Sequence, residues 1–165
     1  MAPFGKTETL TYLDELGIPY ELVEHGAVYT MEGMSELGIP FADEVVKNLF
    51  LHDDKHRAYY LAVMPGTKRA NLRALRTALG SRPLSFASEE ELEAVFGLHA
   101  GAVTPLGVLN DAERRCEVVL DEELRGWPGL GVHPCDNTAT IRIAPVDLLR
   151  VLDEHGTAHR FVEMG

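Results

Sequence analysis

Two apolar segments on either side of a short polar turn constrain the fold of this chain most. They occupy residues 45–52 and 57–64, and Asp53-Asp54-Lys55-His56 lies between them. Segments of this length that are rich in β-branched and aromatic residues and bounded by polar clusters are typical of paired strands. We therefore predict a largely buried β-hairpin that ends at Pro65-Gly66.

Lys47 places a charge inside the first of these strands, with apolar neighbours on both sides in the run 45–51. Burying an unpaired cation costs several kcal/mol, so such a lysine is normally neutralised, paired or matched by an anionic ligand. A side chain that snorkels to solvent from an edge strand gives the same pattern. From the residues alone, both interpretations stay open.

Helix and strand signals alternate along the remaining chain without a repeat, a linker or a low-complexity tract. Helices are predicted at 7–16, 30–37, 69–79 and 88–96 and from Pro145 to before Gly156; further strands are predicted at 20–24, at 103 with 106–109, at 116–121 and at 138–143. The regular βαβ alternation of a dinucleotide fold is missing. We expect one compact α+β domain over residues 1–165 with a mixed, curved sheet.

The composition is that of an ordinary globular protein, with 45% hydrophobic and 25% charged residues. No run approaches the roughly 18 apolar residues of a membrane span, and the first residues lack the apolar core of a secretion signal, so a cytoplasmic location is expected. Cys116 and Cys135 are expected to be free thiols. The net charge of −11 argues against indiscriminate binding to DNA, because phosphate affinity requires concentrated Lys and Arg.

Basic residues are concentrated in one window that contains no acid. They are Lys68, Arg69, Arg73, Arg76 and Arg82. In helical register Arg69, Arg73 and Arg76 share one stripe, while Leu72, Leu75 and Leu79 share another. The stripe is either a solvated helix face or a ridge that contacts phosphates.

Two arrangements of possible ligands or nucleophiles give weak signals. His52, Asp53, Asp54 and His56 are close enough in sequence to crowd a cation, but hairpin turns are commonly this polar, and we expect no metal. Cys135 follows His133 by two residues, but the intervening Pro134 makes a nucleophile and base pair doubtful. Nucleophile elbows, zinc helices and phosphate loops are absent from the sequence.

Three segments carry polarising groups instead, and we expect them to form one pocket. They are the strand around Lys47, the glycine- and proline-containing loop 101–105, and the polar run 133–138. Such a set can hydrolyse an activated ester by positioning water, or a hydroxyl of the substrate, and by stabilising the developing oxyanion.

These same segments resemble the signature motifs of a known family. Val46-Lys47-Asn48-Leu49, Gly101-Ala102-Val103-Thr104-Pro105 and His133-Pro134-x-Asp136-Asn137-Thr138-Ala139-Thr140 are similar to the motifs of the YbaK/ProX aminoacyl-tRNA deacylases. Residues 84–88 and 107–111 resemble the free-standing alanyl-tRNA(Pro) deacylase branch, and the similarity spans nearly the whole chain. One departure is Cys135, where that branch usually has Asn.

The resemblance implies a strongly curved, barrel-like sheet flanked by helices and a hydrolysis that needs no metal or cofactor. The substrate would be the aminoacyl ester at the acceptor end of a mischarged tRNA, most closely alanyl-tRNA(Pro). Lys47 would anchor the acceptor end or the ester, the Gly101 loop would hold the aminoacyl group and water through backbone amides, and His133 would engage the terminal ribose. Prolyl-tRNA synthetase or an elongation factor would be the protein partner.

The resemblance implies further site residues, and so does the need to exclude a proline ring from the pocket. Such a pocket is needed because a missing methylene is worth only about 1–3 kcal/mol, so binding alone rejects a smaller amino acid poorly. The predicted substrate-binding residues are Tyr29, Met31, Val45, Asn48, Ala102, Thr104, Pro105 and Asn137, and the predicted tRNA-contacting residues are Lys68, Arg69, Arg73 and Arg76. In a regular strand Asn48 points away from Lys47, so its alternative role is a buried hydrogen bond that fixes a neighbouring loop.

Three other functions remain as alternatives. The chain could be a relative that removes cysteine from tRNA(Pro) through the thiol of the substrate, or a non-catalytic tRNA or amino-acid binding module associated with a synthetase. A hydrolase that uses Cys135 as its nucleophile is the third.

Overall fold

Helices and strands alternate along the chain in the computed structural model, which describes residues 4–27 and 31–164 except for the side chains of Met31 and Ser35. The helices are α1 (Lys6–Glu15), α2 (Met31–Glu36), α3 (Leu72–Leu79), α4 (Glu89–Phe96) and α5 (Pro145–His155). The strands are β1 (Glu21–Glu24), β2 (Val46–Asp53), β3 (Tyr59–Pro65), β4 (Leu84–Phe86), β5 (Cys116–Asp121), β6 (Leu130–Val132), β7 (Ala139–Ile143) and β8 (His159–Val162). Short 3-10 helices occupy Ala42–Glu44, Pro105–Asn110 and Glu122–Gly126.

The larger sheet has the strand order β4-β2-β3-β5-β8. Strand β2 pairs antiparallel with β3 and β4, whereas β5 runs parallel to both β3 and β8, so the sheet is mixed as predicted. The predicted hairpin is confirmed, with registers from Val46 opposite Pro65 to His52 opposite Tyr59. Together with the helices, these strands give the expected α+β class.

A second, three-stranded sheet has the order β1-β7-β6 and is antiparallel throughout. A parallel bridge between Val45 and Gly131 links it to the start of β2. The expectation of a strongly curved, barrel-like sheet is wrong, because neither sheet is closed or strongly curled. Strands β4 and β8 form the opposite edges of the larger sheet and do not pair with each other, so the sheet stays open. These edge strands have three and four residues.

Alternation along β2 directs its side chains to two different cores. Val46 and Phe50 pack in the main core, with α4 and α5, whereas Leu49 and Leu51 pack on the other face, beneath α3. Because successive side chains of a strand point to opposite faces, Lys47 lies on the α3 face and Asn48 on the main-core face.

Two local predictions are corrected by capping interactions. Helix α3 begins at Leu72 and not at residue 69, because the side chain of Asn71 accepts a hydrogen bond from the Ala74 amide and caps it. Residues 106–109, predicted as strand, lie in the 3-10 helix Pro105–Asn110 instead, and residue 103 belongs to no helix or strand. Thr104 caps this turn, and Pro105 supplies a preset φ at its first position. None of the described helices is long and apolar enough to cross a bilayer.

Candidate functional site

The three motif segments meet at the start of β2. A parallel bridge between Val45 and Gly131 places the segment that leads to His133 beside the start of β2. On the other face of β2, the Asn48 side-chain amide donates to the Val103 carbonyl at 3.3 Å. The loop and the segment before His133 thus contact this strand through different residues, and none of these described contacts places the three segments around a single pocket, so that they form one site stays a prediction.

Lys47 is a partly buried cation with a neutral partner. Its ammonium donates to the backbone carbonyl of Lys68 at 2.5 Å, and among the described residues no carboxylate lies within ion-pair distance of it. An ammonium has three donors, and a carbonyl satisfies one of them without cancelling the charge. The remaining donors and the uncompensated charge suit an anionic or strongly polarised ligand.

The neighbouring Lys68 is held within the protein. Its ammonium lies 2.6 Å from Asp121 and 3.5 Å from Glu123, and the hydrogen bond to Asp121 raises the pKa of Lys68. Asp121 is buried, so this pair anchors the turn after β3 to the end of β5. Lys68 therefore does not present a free charge to tRNA in this arrangement.

The loop that contains Gly101 exposes little but backbone. The side chains of Ala102, Thr104 and Pro105 are buried, and the Thr104 hydroxyl accepts from the Leu106 amide. Gly101 has φ of 88°, a conformation that disfavours residues with a side chain. A substrate contact made by this loop would thus use backbone groups, and the Ala102 amide is already bonded to the carbonyls of His99 and Ala100.

His133 is held as a neutral imidazole, and among the described residues none bonds to its second nitrogen. Its Nδ1 lies 2.8 Å from the Ala139 carbonyl, which assigns the proton to Nδ1 and the lone pair to Nε2. Burial is the main cause that lowers the pKa of His133, and nearby His25 lowers it further. The ring therefore stays uncharged at neutral pH and can accept a hydrogen bond through Nε2.

His25 is a site residue that the sequence reasoning missed. Its ring centroid is 6.2 Å from that of His133, and its Nε2 lies 2.8 Å from the hydroxyl of buried Thr140. The pairing of β1 with β7 brings it there, because Glu24 lies opposite Ala139 and the His25 amide bonds to the Thr138 carbonyl. No local sequence signal could have revealed this contact.

The segment after His133 is a tight polar turn. Asp136 accepts from the backbone amide of Thr138 at 2.7 Å and from its hydroxyl, which lowers the pKa of Asp136. Asn137 is buried. Cys135 has φ of 60° and is buried, and burial raises the pKa of its thiol to about 11. A thiol with that pKa is almost fully protonated at neutral pH, which disfavours Cys135 as a nucleophile.

A cavity of about 520 Å³ opens beside the start of β2. Its lining residues are Glu32, Met34, Ala42, Asp43, Val45, Pro65, Gly66, Thr67, Glu123 and Trp127. Val45 is the one predicted substrate-binding residue among these described lining residues. Tyr29 and the side chain of Met31, which were also predicted to bind substrate, lie outside the described residues. Three of the lining side chains are carboxylates and none is basic, so the cavity favours a cationic group.

The predicted basic stripe is only partly helical. Arg73 and Arg76 lie exposed on α3, and Arg69 is exposed in the segment before the helix, out of helical register with them. Arg82 is paired with Asp54 through two hydrogen bonds. The charges at 69, 73 and 76 remain accessible to a polyanion.

Comparison with known proteins gives a consistent result. Residues 25–151 match the family model described as aminoacyl-tRNA editing domain. The chain is 42% identical over 160 residues to the prolyl-tRNA editing protein ProX of Acetoanaerobium sticklandii, covering 97% of this chain and 98% of that one. It is 37% identical to a zebrafish (Danio rerio) prolyl-tRNA synthetase associated domain-containing protein 1, covering 90% and 82% of the two chains. A crystal structure of a candidate trans-editing enzyme for prolyl tRNA synthetase matches with a TM-score of 0.72 at 25% identity, covering 100% and 99% of the two chains.

Proposed function

Because the chain belongs to the family of aminoacyl-tRNA editing domains, we propose that it is a trans-editing deacylase that hydrolyses mischarged aminoacyl-tRNA, with alanyl-tRNA(Pro) as its substrate. The observation that carries the proposal is Lys47, a partly buried ammonium whose described partner is the neutral Lys68 carbonyl. The nucleic-acid terminus supplies the anionic and polarised oxygens that this cation lacks.

The proposed reaction is the attack of water on the ester carbonyl that joins the amino acid to the terminal ribose. Negative charge develops on the carbonyl oxygen, and a fixed ammonium in a poorly solvated position stabilises it more than water does. The Gly101 loop would place backbone groups beside the aminoacyl group. Neutral His133 would accept a hydrogen bond from a ribose hydroxyl through Nε2 and so orient the leaving group.

The cavity beside Val45 is our proposed location for the aminoacyl group. Met34, Val45 and Trp127 offer apolar surface to its side chain, and Asp43 and Glu123 would complement its α-ammonium group. At about 520 Å³, the cavity formed by the described residues is larger than the small pocket expected from the sequence. Its volume alone therefore does not select alanine over larger residues, and the choice of amino acid remains a proposal.

Replacing Lys47 tests the proposal most directly. Lys47→Ala should lower the rate of alanyl-tRNA(Pro) hydrolysis by roughly a hundredfold to a thousandfold, as expected for a lost oxyanion donor. Lys55→Ala is the matched control, because Lys55 is an exposed lysine in the turn at the other end of β2. Circular dichroism must show that both variants fold. Hydrolysis by Lys47→Ala at the wild-type rate would contradict the proposal.

A panel of alanyl-, seryl-, cysteinyl- and prolyl-tRNA(Pro) tests the substrate. We expect hydrolysis of the alanyl ester and protection of the correct prolyl ester. Hydrolysis of the cysteinyl ester alone would point to the mechanism that uses the thiol of the substrate, because alanine has no such group. Binding of the whole panel without turnover would identify a binding module. Association with prolyl-tRNA synthetase or an elongation factor, and a cytoplasmic location, belong to the same proposal.

A further inference from the structure

A second cluster of chemically active side chains lies at the far end of β2. His52 is the last residue but one of the strand, His56 lies in the turn, and Glu91 projects from α4. Lys47 is five residues away along β2, or about 17 Å at the rise of an extended strand, so the cluster is separate from the proposed hydrolytic site. One nitrogen of each imidazole and one oxygen of the carboxylate all lie within 4.8 Å of one another.

The ligand set differs from the one that the sequence suggests for this turn. Asp53 accepts hydrogen bonds from the amides of Lys55 and Arg57, and Asp54 pairs with Arg82. Both aspartates are therefore used to shape the turn. The carboxylate that faces the two histidines is that of Glu91 on α4. Glu91 follows His56 by 35 residues, so the sequence alone does not bring the three groups together.

Each imidazole presents a nitrogen to the carboxylate. The Nδ1 of His52 lies 2.6 Å from the Asp53 carbonyl and carries the proton, which leaves the lone pair on Nε2, 3.9 Å from Glu91 Oε1. That separation is too long for a hydrogen bond, and it is about 0.5 Å longer than the roughly 3.4 Å between two tetrahedral ligands with bonds of about 2.1 Å, so a small side-chain shift would bring both atoms onto one ion. The Nδ1 of His56 lies 3.2 Å from Glu91 Oε2.

Partners outside the cluster also hold the Glu91 carboxylate. The Tyr59 hydroxyl donates to Glu91 Oε2 at 2.9 Å, and the Ser88 amide donates to Oε1 at 3.2 Å. The His52 and His56 rings stack with centroids 3.8 Å apart. Outer partners that orient imidazole and carboxylate ligands are typical of metal sites, and His56 is exposed, so an ion has an open route to the cluster.

We propose that His52, His56 and Glu91 form a Zn²⁺ site with water as the fourth ligand. Two imidazoles and one carboxylate are a ligand set that zinc accepts. The ion would join the tip of the β2–β3 hairpin to the first turn of α4. Its effect would be to stabilise the fold, and it does not depend on the proposed hydrolytic function.

The test is a calorimetric titration of the chelator-treated full chain with Zn²⁺. Thermal unfolding is measured in parallel. We expect one ion per chain and a Tm that rises with zinc, because a ligand of the folded state stabilises it by mass action. His56→Asn should weaken binding at least tenfold, since Asn tolerates the positive φ at this position but lacks the imidazole. His99→Asn is the matched control, an exposed histidine outside the cluster, and should bind zinc as the wild type does.

A second metal gives an independent readout. Co²⁺ bound by the two histidines and Glu91 should show visible absorption bands that Glu91→Gln weakens, in a variant whose folding is checked by circular dichroism. Absence of stoichiometric zinc binding by the wild type would overturn the site. Equal zinc affinity in wild type and His56→Asn would overturn it as well.

Discussion

The environment of each lysine decides its chemistry in this protein. Lys68 and Lys47 lie side by side, yet Lys68 has two carboxylate partners and Lys47 has a backbone carbonyl. The first ammonium is neutralised within the fold, whereas no described carboxylate neutralises the second. The sequence predicts that Lys47 lies in an apolar strand, but the acids that pair with the neighbouring Lys68 come from residues 121 and 123, more than 50 positions after Lys68.

Replacing His133 should change both hydrolysis and the pH dependence of stability. His133→Asn removes the lone pair at Nε2, so we expect at least a tenfold loss of hydrolysis at pH 7. The pKa of His133 is lowered in the folded state from the ordinary 6.5. As pH falls through about 6.5, the unfolded chain therefore takes up this proton first, and stability decreases.

Urea unfolding at pH 5, 6 and 7 measures the second effect. The wild type should lose more stability between pH 7 and 5 than His133→Asn, because the variant has no imidazole to protonate at this position. Equal losses in the two proteins would show that His133 is not held neutral by the fold.

Elements with strong local signals follow the sequence closely. A helix is predicted over 88–96, and α4 follows this closely, because Ser88 and Glu91 form a capping box at its start and Gly97 follows its last residue, Phe96. The 3-10 helix Pro105–Asn110 was missed because its apolar residues are compatible with a short buried strand, and periodicity does not register the cap by which Thr104 accepts from the Leu106 amide two residues later. Strands β4, β6 and β8 were missed because three or four residues carry too little pattern.

Helix α3 is where we expect tRNA to be contacted through its phosphates. Arg73→Glu should weaken tRNA binding and reduce the slope of log K against log salt by about 1, because one released counterion is lost. Arg150→Glu on α5 is the control, since it makes the same change of charge at another exposed helical site. Binding measured over a range of salt concentrations checks this. Identical salt slopes for the two variants would leave α3 as a solvated face.

At the scale of the whole molecule, the junction between the two sheets positions the site. A Cβ at Gly131 would lie 2.8 Å from Val45 Cγ2 and 3.0 Å from Val45 Cα. Valine is stiff at χ1 and the second atom is backbone, so neither contact is relieved by a small side-chain rotation. The close approach of the strands therefore requires glycine at this position.

Gly131→Ala should push the sheets apart. We expect a loss of about 1–3 kcal/mol of stability, as for other overpacked sites, and a fall in hydrolysis because Lys47 and His133 lie on the two sides of this junction. Gly126→Ala is the control, since a Cβ there meets nothing within 4 Å and its φ is not positive. Denaturant unfolding and hydrolysis rates together check the prediction, and a Gly131→Ala variant as stable as Gly126→Ala would contradict it.

The sequence by itself determined the α+β class, the hairpin, most helix ends and the three motif segments, because periodicity and capping residues are local signals. Tertiary structure decided that the sheets stay open, that Lys68 is neutralised, that His25 joins His133, and that Glu91 reaches His52 and His56. Each of these outcomes depends on contacts between residues far apart in the chain, and the energy of such a contact is set by distance and burial, which no local pattern encodes.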